Sequence, residues 1–519
     1  MNEHKEKKEH RHYEKRETTE FKPRKNVSSI MEAREGDYLK ATVRIERVSK
    51  PGPTIFVVSD GYGMVDAVTK DSDLKLNDVV ELEGEVNERA GKLQVEIRHI
   101  KKVDMDFESL VTQKSKPFDK PVSIQSERYK KLRSYFYAIA WEMRKAIIEN
   151  KPIIIRHHAD ADGITAGICL EQACKLVMKE IGANPEYNLY RSPSKAPFYE
   201  TSDMLRDVSW SKKLVGVHGQ KKPLIIVTDN GSTPEDVFAM KSLKLLGFDI
   251  IVIDHHNPVE LENKKTAVCK YLKLHLNPYI EGYDGQTSAG MLCYEVARLI
   301  HKDFDNKLLP AISAIGDRCV IAEAENYIAQ SGLSKDELQK KVIAIDFLSY
   351  HLRFDEASGI YEEVFKNDDF VDMLNEEVRQ GVETQLQSAL PYLRTQDING
   401  VTFSYIDLEK YTLKFTYPTP GKVTGMIHDE VAVGKENMPV ITLGYLSDMI
   451  IIRATKPILP VAEIIKKLRH DIPEASVDGG GHECAGTIKF VSAHLTTILE
   501  SIKQQIRNID YREKKEQEE

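Results

Sequence analysis

The residues of this chain best suited to chemistry are histidines and aspartates gathered at the ends of apolar runs. Ile153 to Ile155 leads into Arg156, His157, His158, Ala159, Asp160, Ala161, Asp162 and Gly163. Leu224 to Val227 leads into Thr228, Asp229, Asn230 and Gly231, and Ile250 to Ile253 into Asp254, His255 and His256. A later apolar run from Ala311 reaches Gly316 and Asp317. The inventory His158, Asp160, Asp162, Asp229, Asp254, His255, His256 and Asp317 mixes imidazole with carboxylate and contains no thiolate. That donor set suits Mn²⁺, or Mg²⁺ at an oxygen-rich position, rather than structural zinc. Its size exceeds the needs of one ion. Two ions about 3.5–4 Å apart, sharing one carboxylate, would use it, lowering the pKa of a water and clamping both oxygens of an in-line phosphoryl displacement. Adjacent side chains on an extended backbone point apart, so His255 and His256 are expected to divide metal binding from contact with a substrate phosphate or a neighbouring acid. Asp254 is expected to orient a metal-bound histidine. The expected catalytic group is Asp229, His255, His256 and Asp254.

Elements of a definite kind must position these groups. Four apolar residues followed by an acid, repeated, read as buried strands of a parallel sheet whose carboxyl edge carries the acids. Open α/β sheets bind ligands at that edge. His158, Asp160 and Asp162 alternate, and in an extended segment they would share one side. Helical periodicity follows from Ile164, which completes a βαβ pattern over 151–325.

The rest of the chain falls into further units. Residues 1–27 are almost wholly Lys, Glu, His and Arg and read as a disordered tail that cannot bury enough surface to order. Residues 28–105 hold short alternating strands separated by turns at Asp60-Gly61 and Ala90-Gly91, the pattern of a small all-β, OB-like barrel. Such barrels bind single strands through stacking aromatics and a charged groove; here Phe56, Tyr62, Arg44 and Lys92 are the candidates, with packing or protein contact the alternative role. Residues 106–150 read as a linker and a helix, 326–400 as a helical connector and 506–519 as a charged tail. In the connector, His351 and Arg353 read as surface residues, with a substrate cleft as the alternative. Residues 401–505 return to strands and helices and hold Asp478, Gly479, Gly480, Gly481 and His482. Three glycines let backbone amides approach an anion, and His482 adds a donor. Small residues from Asp284 open a helix at which Thr287 and Ser288 either bind a phosphate or only cap it.

Composition narrows the class. The chain has 519 residues, 41% hydrophobic and 30% charged, with a formal net charge of −8. That argues against a uniformly basic nucleic-acid binder but leaves room for a local basic groove. No apolar run approaches the ~18 residues that span a bilayer. With a charged N-terminus and six scattered cysteines lacking a CxxC pair, a cytoplasmic protein with reduced thiols is expected and no membrane partner.

Taken in order, His-Ala-Asp-Ala-Asp-Gly (158–163), Thr-Asp-Asn-Gly (228–231), Asp-His-His (254–256), Ala-Ile-Gly-Asp (314–317) and Gly-Gly-Gly-His (479–482) resemble the DHH phosphoesterase superfamily, specifically the archaeal RecJ-like nucleases. The resemblance covers about residues 150 to 495. It implies a parallel-sheet DHH domain, a smaller DHHA1 domain and two divalent cations. His158, Asp160 and Asp229 would hold one; Asp162, Asp229, His255 and Asp317 the other, with Asp229 bridging. His256 would assist the scissile phosphate, and Arg453 with Gly479, Gly480, Gly481 and His482 would grip the nucleic-acid end. Bacterial members carry Asp where His158 stands, and archaeal members often carry His. The implied activity is a metal-dependent exonuclease on single-stranded DNA or RNA, in replication, repair or RNA turnover. The alternatives are a phosphodiesterase for short oligonucleotides or cyclic dinucleotides, and a replisome scaffold (GINS-associated, Cdc45-like) that meets replication proteins and cleaves only secondarily.

Overall fold

The computed structural model describes residues 23–194, 196, 198–352, 359–435 and 438–509, and of His482 only the backbone. Most of the expected N-terminal tail, Arg353 and residues 510–519 therefore lie outside the described residues.

The N-terminal unit is a closed five-stranded barrel. Strands Tyr38–Ser49, Thr54–Ser59, Met64–Thr69, Lys92–Lys102 and Val79–Arg89 pair in that order, and Tyr38–Ser49 closes on Val79–Arg89. Met64–Thr69 runs parallel to Lys92–Lys102, and every other barrel pair is antiparallel. Alternation sends Leu39, Val43, Phe56, Val58, Leu82 and Val95 fully inside. The Asp60-Gly61 turn forms because Asp60 Oδ1 accepts the N–H groups of Tyr62 and Gly63, while Gly61 takes φ +95°. Asn26–Val27 adds a short parallel strand beside Tyr38, so order begins within the stretch read as tail.

Two of the residues expected to touch nucleic acid, Arg44 and Tyr62, instead help dock the barrel on the next unit. Phe56 is core. Arg44 is buried, donating to Glu46 at 2.7 Å and to Glu108 at 2.6 Å. The Tyr62 hydroxyl donates to Glu180 at 3.0 Å. Arg47 Nε donates to the His218 carbonyl at 2.9 Å. Of the four candidates only Lys92 is exposed; a sequence pattern shows which residues a barrel carries but not which face a second domain covers. The contact is close: a Cβ on Gly219, whose φ is +63°, would stand 2.3 Å from the Val48 carbonyl oxygen. Gly219→Ala is expected to destabilise the protein by about 1–2 kcal/mol for the left-handed conformation alone, with the clash added. Urea unfolding checks this, and unchanged stability contradicts the interface.

The central unit is an all-parallel sheet in the order Leu274–Leu276, Asp249–Ile253, Leu224–Thr228, Ile153–His158, Leu189–Ser194. The middle three strands are built on fully buried aliphatic runs (Ile250–Ile253, Leu224–Val227 and Ile153–Ile155), as a sheet covered on both faces requires. Leu189–Ser194 was not legible, because an edge strand needs no apolar run: it carries Arg191, Ser192 and Pro193, and the Pro193 carbonyl accepts from buried Arg156. The Ala311 run is helical, within Leu308–Gly316. Helices Glu127–Ile148, Ala161–Ile181 and Ala289–Ile300 supply the main core.

Helices Lys335–Leu352 and Asp368–Ala389 connect to a C-terminal six-stranded mixed sheet, in the order Arg394–Ile398, Val401–Asp407, Val440–Tyr445, Met449–Ala454, Ala485–Lys489, Asp478–His482. That sheet starts before residue 401, and its last helix, Leu495–Arg507, runs past 505 with Ile506 buried. No described helix is long and apolar enough to cross a membrane.

Candidate metal centre

Three strand ends and three helix ends converge on one cluster. His158 ends its strand; Asp160 is the N-cap of Ala161–Ile181 and Asp162 sits in that helix's first turn. The three are therefore not aligned by extended alternation. The strand turns into a helix between them, which splits Asp160 and Asp162 between two ligand groups. Gly163 permits this turn, since a Cβ there would lie 2.3 Å from the His158 carbonyl oxygen. Asp160 Oδ1 accepts the Gly163 N–H at 2.9 Å, while its Oδ2 stands 2.8 Å from His158 Nδ1. One oxygen caps the helix and the other faces the centre.

Asp229 follows Leu224–Thr228 in the left-handed conformation, φ +58°, strained for most residues and tolerated by Asp. This turn sets its carboxylate across the cluster. Oδ2 lies 3.6 Å from His158 Nδ1, and Oδ1 lies 3.2 Å from His255 Nε2. His255 Nε2 also lies 3.1 Å from Asp317 Oδ2 and 3.5 Å from Asp162 Oδ2. Ligand atoms of His158, Asp160 and Asp229 fall within 4.8 Å of one another, as do those of Asp162, His255 and Asp317, and those of Asp229, His255 and His256.

The buried chemistry fits divalent cations. Asp229 Oδ2 and His158 Nδ1 are buried without a well-formed hydrogen bond, a costly state for polar atoms removed from water. Burial favours neutral Asp162, and like charge from Asp229 and Asp317 pushes its carboxyl further up. Asp317 is pushed up to about 6, chiefly by burial. For His158 and His255, burial opposes the proton, yet Asp160 and Asp229 around the first, and Asp317, Asp229 and Asp162 around the second, hold both pKa values well above the ordinary one. Protons are thus retained where cations would sit.

Surrounding groups aim the ligands. His255 Nδ1 is 2.7 Å from the Gly285 carbonyl, so Nδ1 donates there and Nε2 turns to the carboxylates. Asp254, fully buried, contacts His256 Nδ1 at 2.8 Å and accepts backbone N–H groups from His255 and Ser232. Its side-chain contact is with the His256 ring rather than the His255 ring. Burial would raise its carboxyl, but His256 and then His255 hold it below the usual range. His157 belongs to the packing: it is buried, and burial pushes its imidazole down to about 3.

The expected phosphate contacts at Thr287 and Ser288 need correction. Both are fully buried. Thr287 Oγ1 accepts from Arg128, and Ser288 bonds Ser313. The group at this helix N-terminus is the Asp162 carboxyl, which accepts the N–H groups of Ala289 at 2.8 Å and Gly290 at 2.7 Å and the Ser313 hydroxyl at 2.6 Å. Periodicity marks a helix start but not which carboxylate reaches it.

The glycine run is an edge strand. A Cβ would meet the Thr487 carbonyl oxygen at 2.2 Å from Gly479 and the Ala485 carbonyl oxygen at 2.3 Å from Gly481, whereas Gly480 faces open space. The His482 side chain lies outside the described residues. Arg453 is half-buried; its guanidinium donates to the Ile452 carbonyl at 3.0 Å and, more weakly, to Gly421 at 3.4 Å. Burial and then the positive charge of Arg318 lower its pKa. Among the described residues neither arginine has a carboxylate within ion-pair distance. Arg318 escaped the sequence reading, although it directly follows Asp317. His351 is exposed and packs on Phe347.

The profile of the DHH family, N-terminal domain, matches residues 152–322. The Methanocaldococcus jannaschii protein MJ1198 is 34% identical over 90% of this chain and 68% of its own length. A solved DHH domain, described as a member of the S1p family of ribosomal proteins, is 36% identical with a TM-score of 0.74, over 78% of this chain and 97% of that one. RecJ from Thermus thermophilus, solved with Mn²⁺, is 16% identical with a TM-score of 0.49, over 76% of this chain and 57% of that one. With one relative 34% identical over 90% of its length, a solved DHH domain 36% identical over 78% of it, and its metal-type ligands on the segment the family profile spans, the chain belongs to the DHH family.

Proposed function

We propose that this protein is a divalent-metal-dependent phosphodiesterase that removes nucleotides from single-stranded DNA or RNA. The observation that carries the reading is Asp229, whose two oxygens face two separate His–Asp groups from a strained backbone. His158 and Asp160 would hold one cation; Asp162, His255 and Asp317 the other; Asp229 would serve both, with Mn²⁺ favoured by the imidazoles and Mg²⁺ second. When bound, the pair supplies Lewis acidity and a hydroxide source for phosphoester hydrolysis. His256, oriented by Asp254, is placed to donate to a phosphate oxygen. Arg453 and Arg318, like charges that form no ion pair with a carboxylate among the described residues, would supply an anion site for the substrate backbone, and Gly480 has open space on the edge strand of the Arg453 sheet.

The test is cleavage of end-labelled single-stranded DNA and RNA in Mn²⁺, Mg²⁺ or EDTA. Mn²⁺-dependent laddering abolished by EDTA supports the reading, and no cleavage of either strand refutes it. Arg453→Ala is expected to raise KM about tenfold with a smaller change in kcat, the sign of lost ground-state binding; an unchanged KM removes Arg453 from the substrate path.

A second reading, cleavage of short oligonucleotides, gains from one observation: three of the barrel residues expected to track a polymer are committed to packing. Relative rates on a dinucleotide and a long strand separate the two. The cytoplasm is the proposed compartment, and association with replication proteins would show as retention of such proteins on a metal-site variant.

A further inference from the structure

One ion pair stands between the metal-ligand loop and the C-terminal domain. Asp346, on Lys335–Leu352, accepts the Ala161 N–H through Oδ1 at 3.1 Å. Its Oδ2 pairs with Nζ of Lys422, on Pro420–Ala432 of the C-terminal domain. Ala161 is the first residue of the helix that Asp160 caps. One turn on from Asp346, Ser349 Oγ donates to the Ala159 carbonyl at 2.7 Å. One face of this connector helix therefore grips the backbone on both sides of Asp160. The same helix receives the C-terminal domain: Tyr417 packs edge-on against Phe347 with centroids 5.2 Å apart and lies 5.6 Å from Tyr350, and Lys422 Nζ stands over the Tyr417 ring.

The charges fit a coupling role. The Asp346 side chain is 13% exposed and Lys422 38%, so the carboxylate is largely removed from water and depends on its partner for balance. Lys422 reaches it only while the C-terminal domain is seated. Without Lys422, an uncompensated carboxylate would share the Ala161 amide region with Asp160, and the loop would be free to shift.

We propose that Asp346 and Lys422 are a positioning pair through which the seating of the C-terminal domain sets the Asp160 loop, and with it the His158–Asp160–Asp229 ligand group. Substrate held by the C-terminal domain and geometry at the metals are thereby linked. Neither residue stood out in the sequence, because each is one charge among many on an amphipathic helix. This inference rests on the hydrolase reading for its catalytic consequence but not for its effect on metal binding.

The test uses the full chain with Asp346→Asn, Lys422→Gln, Lys422→Arg and the Asp346→Asn/Lys422→Gln double variant. Steady-state cleavage at saturating Mn²⁺ is measured beside Mn²⁺ binding without substrate, by electron paramagnetic resonance titration. Each single charge removal is expected to lower kcat about tenfold with KM within about twofold, the signature of misplaced groups rather than lost binding. The double variant is expected to fall no further than the worse single one, because both remove the same link, and Lys422→Arg to keep most activity. Asp346→Asn is expected to weaken Mn²⁺ at one of the two positions about threefold or more, since Lys422 is then left uncompensated nearby. Multiplicative losses in the double variant, or kcat changes below twofold, overturn the proposal. If the wild type cleaves no nucleic acid or nucleotide, the hydrolase reading fails and the Mn²⁺ titration alone decides: an unchanged titration in Asp346→Asn overturns the pair, and a shift at one position upholds it.

Discussion

Asp229→Asn is expected to lower cleavage by roughly 10²–10³-fold or more, on the scale of losing a preorganised charged group, while the protein stays folded. Asparagine suits this test better than alanine. Asp229 holds φ +58°, a conformation Asn adopts readily and Ala only at a cost of about 1–2 kcal/mol. The substitution keeps shape and backbone and removes the charge that both ligand groups share. Because Oδ1 faces His255 and Oδ2 faces His158, both positions are expected to lose Mn²⁺ affinity together. Asp160→Asn, which touches only the His158 group, is expected to weaken one position and spare the other. Paired calorimetric titrations check this. Loss of a single Mn²⁺ in Asp229→Asn would show that its carboxylate serves one position only.

Mn²⁺ affinity is expected to climb by at least about 100-fold per pH unit near neutrality, with at least about two protons released per protein as both positions fill. His158 and His255 hold their protons well above the ordinary imidazole range because carboxylates surround them, and each must lose its proton to bind metal. Below neutrality Asp317, pushed up to about 6, adds a further proton. Four shifted ligands (these three and Asp162) are raised; Asp160 is lowered, since His158 outweighs the effect of burial, and lies too far below the usual carboxylate range to titrate between pH 6 and pH 8. The metal-free folded state therefore binds more protons than the unfolded chain, and its stability falls as pH rises through these pKa values. The chelated protein is expected to melt lower at pH 8 than at pH 6, and the Mn²⁺-loaded protein to reverse that order. Titration in buffers of different ionisation enthalpy measures the protons, and thermal melts with and without EDTA measure the crossing. A pH-independent Mn²⁺ affinity would mean that other residues hold the metal.

Much of the site is legible in the amino-acid sequence alone. His158, Asp229 and the Asp254–His256 group sit where short apolar runs stop, and these runs read as buried strands of a covered sheet whose ends share an edge; the similar run before Asp317 is instead a helix. The three-unit order of barrel, parallel-sheet domain and mixed α/β domain follows from local periodicity, which neighbours in sequence determine. What tertiary structure alone decided is every relation between residues far apart. The Asp162 carboxyl, rather than a substrate phosphate, occupies the helix N-terminus at Ser288 because its helix approaches closely enough to require Gly290, where a Cβ would meet Thr165 Oγ1 at 2.9 Å. Arg44 and Tyr62 became packing residues because the barrel's face lies on the helix Phe107–Lys114 and on the parallel-sheet domain. Asp346 meets Lys422, and Arg453 comes under the charge of Arg318, because the connector helices return the C-terminal sheet to the metal edge. Residue type and period set which groups are available and which strand end each occupies; the packing of one domain on another sets what each group faces, and no local pattern encodes that.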